Sequence, residues 1–135
     1  MDSLSALPWI GILVATVVAF LLGGAWFSQP LFGKQWMAAV GKTPEQMGKP
    51  GPAMALSFGM TLLTAIGIAL IEQRLIASTG GSIRLGLTLG FLIYAPGLAS
   101  DFAFTNSSRT LYLIQASYHA LMLTLMSLIL HLVWR

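Results

Sequence analysis

Four long apolar runs constrain this chain more than any other feature of its sequence. They cover residues 8–27, 52–71, 83–104 and 110–134. Each is close to the roughly 20 residues that an α-helix needs to cross a bilayer. Because backbone polar groups in lipid must be satisfied within their own segment, each run is predicted to be helical. The sequence therefore predicts an all-α integral membrane bundle of four transmembrane helices, forming a single domain over residues 1–135.

The scarcity of charge supports a lipid environment. Only 8% of residues are charged and 56% are hydrophobic, whereas soluble domains carry about 25% charged residues. The net charge of +3 comes from scattered basic residues and does not indicate nucleic-acid binding. The chain has no cysteine, which excludes disulfides and thiolate metal sites. No cofactor and no metal site are predicted.

The first apolar run is interpreted as a retained helix, not a signal peptide. It extends from Leu7 to Phe27, which exceeds the usual signal-peptide core of roughly 7–15 residues. Asp2 is the only charged side chain before it, so the basic segment that normally opens a signal peptide is missing.

The connections between the runs differ in length, and residues 28–51 form the longest. Within it, Phe32, Trp36 and Val40 recur every four residues, which predicts a short helix lying at the membrane surface. Residues 43–46 (Thr-Pro-Glu-Gln) are predicted to cap one further helical turn. The remaining links are short, so consecutive helices should be antiparallel neighbours.

Basic residues specify the orientation only weakly. One side of the membrane would carry Lys34, Lys42, Lys49 and Arg109, and the other Arg74, Arg84 and Arg135. Basic residues normally favour the cytoplasmic side, but this distribution is nearly even. Because the first run is preceded by no basic residue, we expect both termini to lie outside.

Small residues recur every four positions in the runs, which favours close helix packing in lipid. The stripes are Gly11, Ala15, Ala19 and Gly23; Ala53, Ser57, Thr61, Ala65 and Ala69; Gly86 and Gly90; and Ala116, Ala120 and Thr124. They predict a compact bundle or a self-associating one, and the sequence leaves open which stripes are internal. Pro96 lies within the third run and predicts a kink that serves packing or forms a hinge or pocket wall.

Ionisable residues within a span are costly and are therefore candidates for function. Asp101 lies near the end of the third run. It is expected to pair with Arg109 or meet interfacial water, or alternatively to bind a proton or cation. Glu72 and Arg74 end the second run, where both are expected to be solvated.

His119 is the deepest ionisable residue of the predicted spans. It belongs to a seam that should face protein: Ser108, Tyr112, Gln115, His119, Met122 and Met126. The two interpretations are a neutral, hydrogen-bonded histidine and a ligand- or proton-binding site. His131 lies twelve residues further along the same helix, too far to share a metal ion with His119.

One stretch of the chain resembles a known family. It reads Trp26-Phe27-Ser28-Gln29-Pro30-Leu31-Phe32-Gly33-Lys34-Gln35-Trp36-Met37, and Gly41-Lys42-Thr43-Pro44-Glu45-Gln46-Met47 follows. It is similar to a small bacterial membrane-protein family catalogued as domain of unknown function 1761, whose pattern is Trp-Tyr-Ser-Pro-x-x-Phe-Gly-x-x-Trp. Here Phe27 replaces the tyrosine, and Gln29 precedes Pro30. The stretch from Gln115 to His119 resembles the family as well. The resemblance implies a four-span fold in a bacterial inner membrane, but no activity.

The family motif also has a physical interpretation. The first helix would leave the membrane at Trp26, Pro30 would block its continuation, and Gly33 would allow a tight turn. Phe32 and Trp36 would then return to the interface. This elbow is expected to be structural, although Lys34 and Trp36 are alternatively placed to bind an anionic lipid headgroup or a partner.

No enzyme signature is present: the sequence has no nucleophile elbow, phosphate-binding glycine loop or His-Glu-x-x-His. We therefore expect a non-enzymatic protein that contacts lipid and acts as a homo-oligomer or as an accessory subunit of a larger membrane complex. The alternative is a small transporter or a ligand- or lipid-binding protein with its site at the seam. The candidate site residues are Asp101, Tyr112, Gln115, Tyr118 and His119.

Overall fold

The computed structural model describes residues 4–75 and 78–134, so Asp2 and Arg135 lie outside the described residues. The helices are α1 (Trp9–Trp26), α2 (Gly33–Val40), α3 (Pro50–Leu75), α4 (Thr79–Thr88), α5 (Ala95–Phe104) and α6 (Arg109–Trp134). A 3₁₀ turn covers Pro44–Met47, and a π-helical segment, Leu89–Tyr94, joins α4 to α5. Four helices of the described chain are long and apolar enough to cross a membrane: α1, α3, the continuous α4–α5 unit and α6. The predicted all-α fold, with a short helix after the first span, is confirmed.

Two helices extend beyond their predicted bounds for local reasons. The α3 helix begins at Pro50, because proline is well suited to a first helical turn, and it continues past Glu72 to Leu75. The α4 helix begins at Thr79 because the Ser78 side chain accepts a hydrogen bond from the Gly81 amide at 3.1 Å. Polar residues at these ends therefore belong to the helices and not to the connections.

The α6 helix is the central element of the bundle. It is the most buried of the four long helices, and α1, α3 and the α4–α5 unit all pack against it. Met126 and Leu130 of α6 are completely buried, as is Ile12 of α1. Ala65 and Ile68 of α3 complete this part of the core. Side chains of α6 therefore reach every other long helix.

The small residues of α4 and the π segment pack directly against the α6 backbone. A Cβ atom placed on Gly86 would lie 2.2 Å from the Thr124 Cα, and one on Gly90 would lie 2.6 Å from the Ala120 Cα. Both distances are far below van der Waals contact. These glycines therefore allow two helices within one chain to approach each other closely.

The stripe on α1 is also internal. Ala15 and Ala19 are buried, and a Cβ on Gly23 would lie 2.8 Å from the Tyr118 hydroxyl. A Cβ on Gly11 would contact Val133 at 3.3 Å. The α3 stripe divides: its later members are buried, whereas Ala53 and Ser57 are exposed.

Pro96, where the sequence predicts a kink, is immediately preceded by a π-helical turn. The Ala95 amide donates to the Gly90 carbonyl, a bond that spans five residues instead of four. Proline supplies no amide hydrogen and its ring crowds the carbonyl four residues earlier, so a π-helical turn relieves the clash. The turn positions Tyr94 against α6.

Candidate functional site

Glu72 is buried between α3 and α6, so the prediction that it would be solvated is wrong. Its residue exposure is 4%. The Ser127 hydroxyl donates a hydrogen bond to Glu72 Oε1, and His131 Nδ1 lies 4.0 Å from Glu72 Oε2. The position of Glu72 near the end of a span predicts contact with water, but the packing of α6 against α3 shields its side chain from solvent. We refer to Glu72, Ser127 and His131 as the buried polar cluster.

One ring nitrogen of His131, in this cluster, has no hydrogen-bond partner among the described residues. The residue is 8% exposed, and that nitrogen, Nε2, is buried. Ser127 and His131 are four residues apart, which places both on one face of α6. The α3 and α6 helices run in the same direction, so Glu72 and His131, each close to the end of its helix, meet at the same level. This shared register is the sequence signal that could have predicted the cluster.

The geometry of the cluster does not match a hydrolytic triad. In such a triad the serine is hydrogen-bonded to an imidazole that acts as its base, whereas Ser127 donates to the carboxylate of Glu72. The cluster instead places a carboxylate beside an imidazole in a buried environment. The 4.0 Å between His131 Nδ1 and Glu72 Oε2 is longer than a hydrogen bond, but the two groups form an ion pair when His131 is protonated.

His119 lies in an aromatic environment nearer the beginning of α6, separated from the buried polar cluster by apolar core residues. Its ring stacks on Tyr94 with centroids 4.0 Å apart, and Tyr118 meets it edge-on at 4.9 Å. His119 Nδ1 lies 2.9 Å from the backbone carbonyl of Gln115. That geometry suits Nδ1 as the donor, and Nε2 makes no hydrogen bond with any described residue.

Two tyrosines of α6, Tyr118 and the seam residue Tyr112, connect α6 to two other helices. The Tyr118 hydroxyl donates to the Ala19 carbonyl of α1 at 3.2 Å. The Tyr112 hydroxyl donates to the Ala95 carbonyl of α5 at 3.3 Å. The seam therefore faces protein along this stretch, and Tyr94 is the neighbour that the sequence analysis did not identify.

Asp101 does not join the seam. It is exposed on α5, and in the described part of the chain it forms no ion pair with Arg109. Its backbone carbonyl accepts from the Thr105 hydroxyl at 3.0 Å. The structure thus brings Tyr118 and His119 together while Asp101 remains at the surface. A ligand or proton role for these residues remains a prediction.

The elbow after α1 is a tightly bonded turn. The Phe32 amide donates to the Trp26 carbonyl at 3.0 Å, and the Gly33 amide donates to the Ser28 carbonyl at 2.8 Å. A Cβ on Gly33 would lie 2.6 Å from the Phe27 carbonyl oxygen, so no other residue fits there. The predicted cap at Thr43 is confirmed, since its amide donates to Gln46 Oε1 at 2.9 Å. The chain is therefore closely held on both sides of α2.

The elbow is also attached to the bundle. Trp26 Nε1 donates to the Ile114 carbonyl of α6 at 3.2 Å. The Trp26 ring packs on Phe32 with centroids 4.8 Å apart, and Phe27 meets Trp36 edge-on at 5.7 Å. Beside these rings lies a cavity of about 600 Å³. The location of α2 at the membrane surface remains a prediction.

Comparison with known proteins identifies a family but not an activity. The family model DUF1761, described as a protein of unknown function, matches residues 10–131. No curated protein and no solved structure matches the chain. The matched range contains the elbow, the seam and the buried polar cluster, and it confirms the resemblance seen in the sequence. The chain is a membrane protein that belongs to the DUF1761 family.

Proposed function

We propose that this protein is non-enzymatic and acts through helix association in the membrane, as a homo-oligomer or as an accessory subunit of a larger membrane complex. The proposal is carried by two glycines in α3, Gly59 and Gly67, against which no other helix of the described chain packs closely. A Cβ atom on Gly59 or Gly67 would have no neighbouring atom within 4 Å among the described residues outside its own helix turn. Glycine inside a helix costs about 1 kcal/mol relative to alanine, and membrane helices use glycine where a second helix approaches closely.

The proposed contact surface is the α3 face formed by Gly59, Leu63 and Gly67. The three residues follow a four-residue spacing and so lie along one side of the helix. Leu63 is 58% exposed and projects from this side between the two glycines. A groove beside a projecting leucine suits the packing of a second helix. By contrast, Gly86 and Gly90 are already filled by α6.

Disulfide crosslinking tests self-association cleanly because the chain has no cysteine of its own. Gly59→Cys and Gly67→Cys should each give an oxidised dimer in native membranes, since both positions would face a second copy. Open space at both sites means that neither substitution disturbs the monomer. The readout is the dimer fraction on a non-reducing gel.

The control is Leu92→Cys, at a 72% exposed position on the π segment. Random collision in the membrane would crosslink Leu92→Cys as readily as the α3 variants, and that result would contradict the proposed surface. If no position crosslinks, the proposed contact between copies through α3 is wrong.

A second function, transport or ligand binding at the seam, is favoured by the Nε2 atom of His119, which makes no hydrogen bond with any described residue. An unpaired nitrogen on a histidine deep within a span is an acceptor for a ligand or a proton. A small-molecule stability screen tests this role. A ligand at one hundred times its Kd should stabilise the protein by about 2.7 kcal/mol. We expect that gain to be lost in His119→Ala and kept in Ser117→Ala, a neighbouring exposed position. Equal stabilisation of both variants, or no stabilising compound at all, would contradict a ligand site at His119.

A further inference from the structure

We propose that the cavity beside the elbow binds the headgroup of an anionic phospholipid. The cavity measures about 600 Å³ and lies between the elbow, α2 and the loop that follows α2. Its walls include Phe27, Gln29, Lys34, Trp36, Met37 and Lys42. Two cationic side chains therefore share one concave site with aromatic and aliphatic groups.

The charges of this region favour an anionic occupant. Lys34 and Lys42 are exposed, and neither forms an ion pair with any described residue. Glu45 is the only acidic residue between positions 28 and 51, and it makes no ion pair within the described part of the chain. A phosphate group is a good partner for lysine because the ammonium is a compact charge with three donors.

The remainder of the cavity favours a lipid over a soluble anion. Its lining also includes Phe27, Trp36 and Met37, which would contact the glycerol backbone and the first acyl carbons. The elbow also begins where α1 ends, at Trp26. Tryptophan at a span end typically lies at headgroup level, and nearby lysines reach the same level. The site thus combines a basic rim with an apolar wall at the expected depth.

The elbow holds this cavity in shape before any lipid binds. The hydrogen bonds of Phe32 and Gly33 close the turn, and Trp26 joins the turn to α6. The edge-on contact between Phe27 and Trp36 positions two of the cavity walls. A preformed cavity binds more tightly because less side-chain and backbone freedom is lost on binding. This proposal rests on the elbow alone and is independent of the α3 surface.

Native mass spectrometry of the detergent-purified full chain tests the site. The protein is titrated with phosphatidylglycerol and, separately, with phosphatidylcholine, and the first bound lipid is quantified. We expect phosphatidylglycerol to bind at least tenfold more tightly. Each of Lys34→Gln and Lys42→Gln should weaken phosphatidylglycerol binding about fivefold, the effect expected for one lysine near an anionic lipid.

The matched control is Lys49→Gln, in the same connection but outside the cavity wall. It should bind phosphatidylglycerol like the unmodified protein. Because all three lysines are exposed, the variants should keep the melting temperature measured without added lipid. Equal binding of the two lipids, or an equal loss in Lys49→Gln, would overturn the proposal. So would inorganic phosphate that competes fully at millimolar concentration, since the site would then recognise a free anion.

Discussion

Replacing Gly86 with alanine is expected to lower the free energy of unfolding by about 3 kcal/mol or more. The added Cβ would lie 2.2 Å from the Thr124 Cα and 2.9 Å from the Leu123 carbonyl oxygen. Both atoms belong to the α6 backbone, which cannot move aside as a flexible side chain can. The α4 and α6 helices must therefore separate, and the central helix loses its closest contact. Thermal unfolding followed by circular dichroism measures the loss.

Gly97→Ala is the matched control for this prediction. Gly97 lies in α5, in the same transmembrane unit, and a Cβ there has no neighbour within 4 Å in the part of the chain that the structure describes. Since alanine is the better helix former by about 1 kcal/mol, Gly97→Ala should be neutral or slightly stabilising. If Gly86→Ala proved as stable as Gly97→Ala, the packing of α4 against α6 would be wrong.

Glu72→Ala is expected to cost about 1–3 kcal/mol, the usual cost of leaving a buried polar group without its hydrogen-bond partner. The substitution leaves the Ser127 hydroxyl without its acceptor and His131 without its neighbouring carboxylate. It also opens a small void between α3 and α6, which lose their shared polar contact. The same unfolding measurement provides the readout.

Two further variants distinguish the loss of the buried Glu72 contacts from the general effect of removing a negative charge. Glu45→Ala removes an exposed carboxylate from the 3₁₀ turn and should change stability by no more than about 0.5 kcal/mol. Glu72→Gln should lose less than Glu72→Ala, because its amide oxygen still accepts from Ser127. The buried polar cluster would be refuted by a Glu72→Ala variant that unfolds like Glu45→Ala.

Hydropathy was sufficient to predict the architecture because lipid leaves the backbone few alternatives. A long apolar run in lipid must form a helix, so the four spans follow from the positions of the four apolar runs. The turn at Thr43 was equally predictable, because the residues that cap it lie within three positions of each other. Features determined by nearby residues or by the solvent were therefore accessible from the sequence.

Features determined by contacts between distant residues were not accessible. The position of Glu72 near a span end predicts a solvent-exposed side chain, yet its environment depends on Ser127, which lies 55 residues away. The stacking of Tyr94 on His119 depends on the π turn before Pro96, whose form the sequence does not specify. Spacing likewise revealed the small-residue stripes but not which helix each would meet. A pattern of small residues identifies a face and leaves its partner open.

The central claim is that this protein acts by association, and native mass spectrometry after gentle release from its own membrane tests it most directly. We expect the protein to appear as a homo-oligomer or in a complex with a stoichiometric protein partner. Gly59→Ile, which fills open space in the monomer, should shift the complex toward the single chain. A single chain with no protein partner, in both the unmodified protein and the variant, would contradict the account.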